Sequence, residues 1–149
     1  MILVFLILSG CKDLGKTEKP IDDLNAAQKN ELCLSKEERE GLIKAILNTP
    51  DFQMFLHPDA EGRLPIRLVK NEFVTPDLNI LSNDQRVIFE DSLFIPNGSV
   101  HRLRIVKKNC ENKKFSYSIF YPIEGAFLFG DIMKSDTLWL IENTTWAEH

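Results

Sequence analysis

His57 sits in Phe55-Leu56-His57-Pro58-Asp59, a segment that runs on through Gly62-Arg63-Leu64-Pro65. An imidazole there can serve as a general base near neutral pH. The same stretch also reads as a compact helix-to-strand connection, in which His57 caps a helix and Arg63 pairs with Asp59. Arg102 and Arg104 stand two residues apart, which on a strand places both guanidinium groups on one face, able to grip a carboxylate or phosphate. The alternative is cross-strand pairing with Glu90 or Glu142 on a solvated face. Tyr117, Tyr121, Glu124 and Trp139 fall on neighbouring strands. They form either an aromatic wall with one carboxylate, suited to a ligand, or ordinary core with a turn glutamate.

Beyond these clusters the search for chemistry is negative. The chain has no Walker loop, no GxGxxG after a strand, no HExxH and no GxSxG. Asn97-Gly98-Ser99 and Asn143-Thr144-Thr145 match glycosylation sequons but read as turn and strand-end chemistry. His57, His101 and His149 are scattered and no cysteine has a second at Cys-x-x-Cys spacing, so neither a metal nor a cofactor is expected. A net charge of -4 supplies no broad cationic field for nucleic acid.

The elements that must position these residues are legible in turn. Ser35 followed by Glu38 is a capping box, and Glu37 and Glu38 suit a helix N-terminus. The helix runs from Lys36 to Leu47, with Leu42, Ile43, Ile46 and Leu47 as its apolar stripe and Lys36, Arg39, Glu40 and Lys44 facing water. Thr49-Pro50-Asp51 starts a second short helix carrying Phe52, Phe55 and Leu56, which ends before Pro58. From Leu64 onward the period becomes two. Strands are expected at Ile66 to Lys70, Val87 to Leu93, Val100 to Lys107, Phe115 to Tyr121, Ala126 to Met133 and Thr137 to Glu142. Between them lie turns at Pro96-Asn97-Gly98, Asn109 to Lys114, Ile123-Glu124-Gly125 and Lys134-Ser135-Asp136. Consecutive strands with short turns predict an antiparallel meander rather than a parallel sheet. The expected fold class is α+β, with the N-terminal helices packed on the concave face of a curved antiparallel sheet.

The start of the chain carries an address. The apolar run Ile2 to Leu8, then Leu8-Ser9-Gly10-Cys11, resembles the signal segment and lipobox of a bacterial lipoprotein precursor. Met1 to Gly10 is far shorter than the roughly 20 apolar residues that span a bilayer, which leaves a signal segment. The resemblance implies that Cys11 receives a diacylglyceryl group and becomes the acylated first residue of the mature chain. Two or three acyl chains, at about 0.8 kcal/mol per buried methylene, hold a protein stably on a membrane. Lys12 stands where enteric inner-membrane lipoproteins carry Asp, which points to the outer membrane, facing the periplasm or the cell surface. With Cys11 acylated, Cys33 and Cys110 remain as an even pair in a compartment where disulfides persist. They either bond to each other, worth about 4 kcal/mol by the chain-entropy model, or stay as two buried thiols.

Lys12 to Glu31 is rich in Lys, Asp, Asn and Gln, with Gly15 and Pro20, and reads as a tether whose ends lie about 25 Å apart as a coil. It has room for a short helix near Ile21 to Lys29. Of the 149 residues, about 115 then form a single α+β domain, 32–149. Apolar residues at 44%, charged at 27% and ten Phe against two Tyr describe an ordinary globular core. The closing hairpin, Gly125 to Gly130 through Leu138-Trp139-Leu140, loosely resembles the last strands of NTF2-like and cystatin-like folds; no catalytic role follows from it. Two functions fit this sequence. The first is a membrane-anchored module that binds another envelope protein. The second is a small-ligand binder or hydrolase with a pocket between helices and sheet.

Overall fold

The computed structural model describes residues 32–93 and 99–148. Cys11 and the expected signal segment, tether, short helix near Ile21 to Lys29 and turn at Pro96-Asn97-Gly98 lie outside those residues.

Helix α1 (Lys36–Leu47) begins where its capping box dictates. Ser35 Oγ accepts from the Glu38 amide at 3.2 Å and Glu38 Oε2 accepts from the Ser35 amide at 2.9 Å, so two N-terminal donors are satisfied reciprocally. Its buried face holds Leu42, Ile43, Ile46 and Leu47, as the period requires, and also Arg39. Arg39 was expected in water and is buried. Its guanidinium donates to Thr75 Oγ1 at 2.8 Å and meets Asp77 at 3.6 Å, partners supplied by a distant loop that let a charge be buried.

Helix α2 (Pro50–Leu56) has Pro50 in its first turn, where the missing N–H costs nothing. Thr49 caps it, its hydroxyl accepting from the Phe52 amide at 3.2 Å and donating to Ile46 O at 2.9 Å. His57 ends it in the left-handed conformation, φ 47°.

The strands are β1 (Arg67–Val69), β2 (Leu81–Ser82), β3 (Gln85–Arg86), β4 (Ile88–Glu90), β5 (Arg102–Asn109), β6 (Lys114–Tyr121), β7 (Ala126–Ser135) and β8 (Leu138–Glu148). β5 to β8 form the expected antiparallel meander in chain order. On β6 every second residue is buried, Phe115, Tyr117, Ile119 and Tyr121, the signature of a sheet with one face on the core. Together the helices and strands make an α+β fold.

Three features of the strands depart from expectation. β1 and β4 pair in parallel, Leu68 opposite Phe89, and Leu68 also makes a parallel bridge to His101 just before β5. The long connection from β1 to β4 permits this, because only short turns force antiparallel neighbours. Inside that connection β2 and β3 form a small hairpin that was not expected. Asn83 and Asp84 at φ 50° and 57° make its two-residue turn, as the primed hairpin turns require. β8 also runs six residues beyond the expected end at Glu142. Asp131 pairs with Glu142 but Phe129 pairs with Thr145, so β8 carries an extra residue there, and Asn143 at φ 54° absorbs the bulge.

Helices and meander are tied at defined points. Lys134 Nζ reaches Glu38 Oε1 at 2.7 Å, and Lys113 donates to the same oxygen. Tyr121 Oη donates to Phe52 O at 3.1 Å. Phe73 meets Phe115 edge to face, and Phe115 meets Trp139. Cys33 and Cys110 are joined in a disulfide, with their Cα atoms 5.5 Å apart.

Candidate interaction surface

The alternation that buries Leu103 and Ile105 on β5 exposes Arg102, Arg104 and Val106. Across the sheet Arg102 pairs with Phe120, Arg104 with Ser118 and Val106 with Ser116. On the next strand Phe127 stands opposite Phe120 and Phe129 opposite Ser118. The outer face therefore carries an aromatic patch beside the arginines. The Phe120 and Phe127 rings are 4.6 Å apart, Phe127 and Phe129 stack at 5.9 Å, and Phe129 is 42% exposed.

The expected cross-strand partners of these arginines are engaged elsewhere. Glu90 is held by Arg67, which lies diagonally across the parallel β1–β4 pair, and Glu142 by Lys114 Nζ at 3.4 Å. Asp131 accepts from Lys108 and Ser116, both at 2.8 Å, and those two donors hold its carboxyl below the usual carboxylate range. Among the described residues no carboxylate pairs with Arg102 or Arg104. Between β5 and the segment after β1 runs a groove of about 810 Å³, lined by both arginines together with Val69, Phe73, Leu103 and Val106.

The other sequence candidates are placed apart from this face and from one another. His57 is the exposed C-terminal cap of α2, its amide donating to Gln53 O at 3.3 Å. Arg63 pairs with Glu124 Oε1 at 2.7 Å, not with Asp59. The guanidinium reaches sixty-one residues along the chain to a turn that the fold brings beside it. Tyr121 is core, its ring 5.1 Å from Phe52 and 5.6 Å from Phe55. Tyr117 lies over Gly130, while Trp139 lies beside Gly41 and Phe115. Tyr117, Tyr121, Glu124 and Trp139 are thus spread through core and turn. Among the described residues no three His, Cys, Asp or Glu side chains gather as metal ligands.

His101 went unmarked, although its place in the inward series His101, Leu103, Ile105 made its burial readable. It is 1% exposed, with its ring 5.0 Å from Tyr121 and 5.7 Å from Phe52, and neither ring nitrogen has a hydrogen-bond partner of good geometry. Burial, and then the charge of Arg63, hold its pKa down at about 4. At neutral pH it is an uncharged core side chain.

No protein-family model, curated protein or solved structure matches this chain.

Proposed function

We propose that this chain is a membrane-anchored envelope lipoprotein whose domain acts as a binding module for another envelope protein. Cys11, acylated, fixes it to the outer membrane facing the periplasm or the cell surface, and the residues up to Glu31 tether the domain. In this reading the helices cover the concave side of a curved meander, and the partner meets the opposite face of β5 to β7. One observation carries the reading: among the described residues no carboxylate pairs with Arg102 or Arg104, which stand together on that face, while nearby carboxylates serve other cations. An anionic patch meeting two guanidinium groups gains charge-assisted hydrogen bonds that water alone does not supply. The aromatic residues alongside are the type that supplies energy at interfaces.

The test is affinity capture of the lipidated protein from its own envelope after brief crosslinking, with Cys11→Ser as the unanchored control. The expected result is a partner in near-equal amount that disappears in Arg102→Glu/Arg104→Glu. That double variant should melt within about 2 °C of wild type, because exposed substitutions change stability by roughly 0.5 kcal/mol or less. Capture unaffected by the double reversal overturns the assignment of this face. Intact mass checks the anchor: acyl chains on Cys11 are expected, and an unlipidated chain retaining Met1 overturns it.

A further inference from the structure

The disulfide fixes where the chain ahead of the domain departs. Cys33 is bonded to Cys110 in the β5–β6 turn, and Leu32 and Leu34 on either side of it are 4% and 2% exposed, so packing holds the same root. Arg104 lies six residues before Cys110, about 20 Å along an extended strand, with Arg102 beyond it. Asp22 and Asp23 precede Cys33 by eleven and ten residues. Ten residues span about 17 Å as a coil and at most about 33 Å extended, so both arginines fall within reach of this doublet. Its composition singles it out. Asp13 follows Lys12 and Glu18 precedes Lys19, whereas Asp22 and Asp23 are flanked by Ile21 and Leu24. Glu31, two residues from Cys33, is too near the root to reach. The domain surface has the matching make-up. Arg102 and Arg104 are exposed on β5, Phe120 stands opposite Arg102, and Phe129 lies in line with Arg104 across Ser118.

We infer that Asp22 and Asp23 fold back on Arg102 and Arg104, with Ile21 and Leu24 against the aromatic patch, so that the chain's own tether occupies the partner surface until an acidic partner displaces it. This rests on the binding-module reading above and adds the regulation of that same surface. Charge complementarity and chain length together select the occupant. On the domain Glu90, Glu142 and Asp131 already serve Arg67, Lys114 and Lys108, while the doublet carries two carboxylates to within reach of the arginines. A ligand joined by so short a linker acts at a millimolar effective concentration, which holds contacts too weak to persist between separate molecules. Exposed guanidinium–carboxylate pairs are individually weak and screened by salt, so a partner can exchange with them. The surface then admits partners that bring several carboxylates and apolar contact, because each must outcompete a resident pair.

The test uses the full chain with Cys11→Ser in detergent micelles. Cys33 and Cys110 are bonded, so Asn25→Cys, two residues beyond Asp23, supplies the single free thiol for a nitroxide label. The backbone amide signals of Arg102, Arg104 and Phe129 should broaden. Asp22→Lys/Asp23→Lys and Arg102→Glu/Arg104→Glu should each weaken the broadening severalfold, and the two combined should restore it. A blocked Ile-Asp-Asp-Leu peptide, titrated into unlabelled chain, should bind about tenfold more tightly to Asp22→Asn/Asp23→Asn than to the unaltered tether, because the resident competitor is gone. Absent broadening, or broadening that survives either reversal unchanged, overturns the inference. So does equal peptide affinity for the two chains. Broadening of an unlabelled, isotope-enriched chain by a labelled, isotope-free one would seat the doublet on a second copy, which also overturns it. Arginine-dependent capture of an envelope partner can succeed in every one of these cases, so failure here is distinguishable from failure of the binding-module reading.

Discussion

The ring of Tyr117 lies directly across Gly130, its partner on the neighbouring strand: a Cβ at position 130 would come within 2.6 Å of Tyr117 Cε1 and 2.7 Å of its Cζ. Tyr117 is 3% exposed and has little room to retreat. Gly130→Ala should therefore destabilise the domain by about 1 to 3 kcal/mol through overpacking, read as a lower urea midpoint. In a Tyr117→Val background the same substitution should cost much less. Equal costs in both backgrounds would show that the ring is not the obstacle.

His101 gives the domain an acid response of definite sign. Its folded pKa of about 4 lies below its ordinary 6.5, so as pH falls the unfolded chain takes up the proton first. Stability is lost between about pH 6.5 and pH 4, by about 3 kcal/mol in total. His101→Phe, which does not titrate and suits the ring cluster of Phe52 and Tyr121, should lessen the drop between pH 7 and pH 4.5 by about 2 kcal/mol. Urea melts at both pH values measure it, and an unchanged drop would place the acid response elsewhere.

Glu38 answers at lower pH. Partial burial works against its charge, yet the lysines Lys113 and Lys134 and the Ser35 amide hold its carboxyl at about 2. The stability it contributes is present above about 4.5 and is lost as pH falls toward 2. Glu38→Gln keeps the capping-box geometry, since Gln also serves at that position, and removes only the charge shared by two lysines. A loss of about 1 kcal/mol at pH 7 is expected. The deficit should close on acidification, and a deficit equal at pH 7 and pH 2.5 would assign it to the cap instead.

Replacing both cysteines of the Cys33–Cys110 bridge with serine should cost about 2 to 4 kcal/mol, because the unfolded chain regains the freedom of a long loop. Thermal melts of this variant and of reduced wild type should agree. A variant as stable as the oxidised protein would mean that the bridge contributes little to folding.

Local signals carried much of the fold. Ser35 with Glu38, Thr49 with Pro50, and the alternation of β5 to β7 act within a few residues, and the elements formed where those signals put them. What escaped depends on distance. The parallel pairing of β1 with β4 is set by what a long connection allows, not by any turn. Arg39 occupies the helical period of Leu42, Ile43 and Ile46, but its charge argued for water until Thr75 and Asp77 supplied partners from afar. Asp59 is near Arg63 in sequence, whereas Glu124 is near it in space. In the candidate surface the outward direction of Arg102 and Arg104 was readable from alternation. That Glu90 and Glu142 belong to Arg67 and Lys114 required the strand register.

The bridge from Cys33 to Cys110 also decides how the domain bears mechanical load. A pull on the chain ahead of Leu32 meets the covalent bond to the β5–β6 turn before it meets the first turn of α1. Tension then passes into the sheet, where adjoining strands share it across a ladder of hydrogen bonds, and α1 is not peeled away one turn at a time. Reduction of the disulfide reroutes that force through the Ser35 cap, making the oxidised chain the more tear-resistant form.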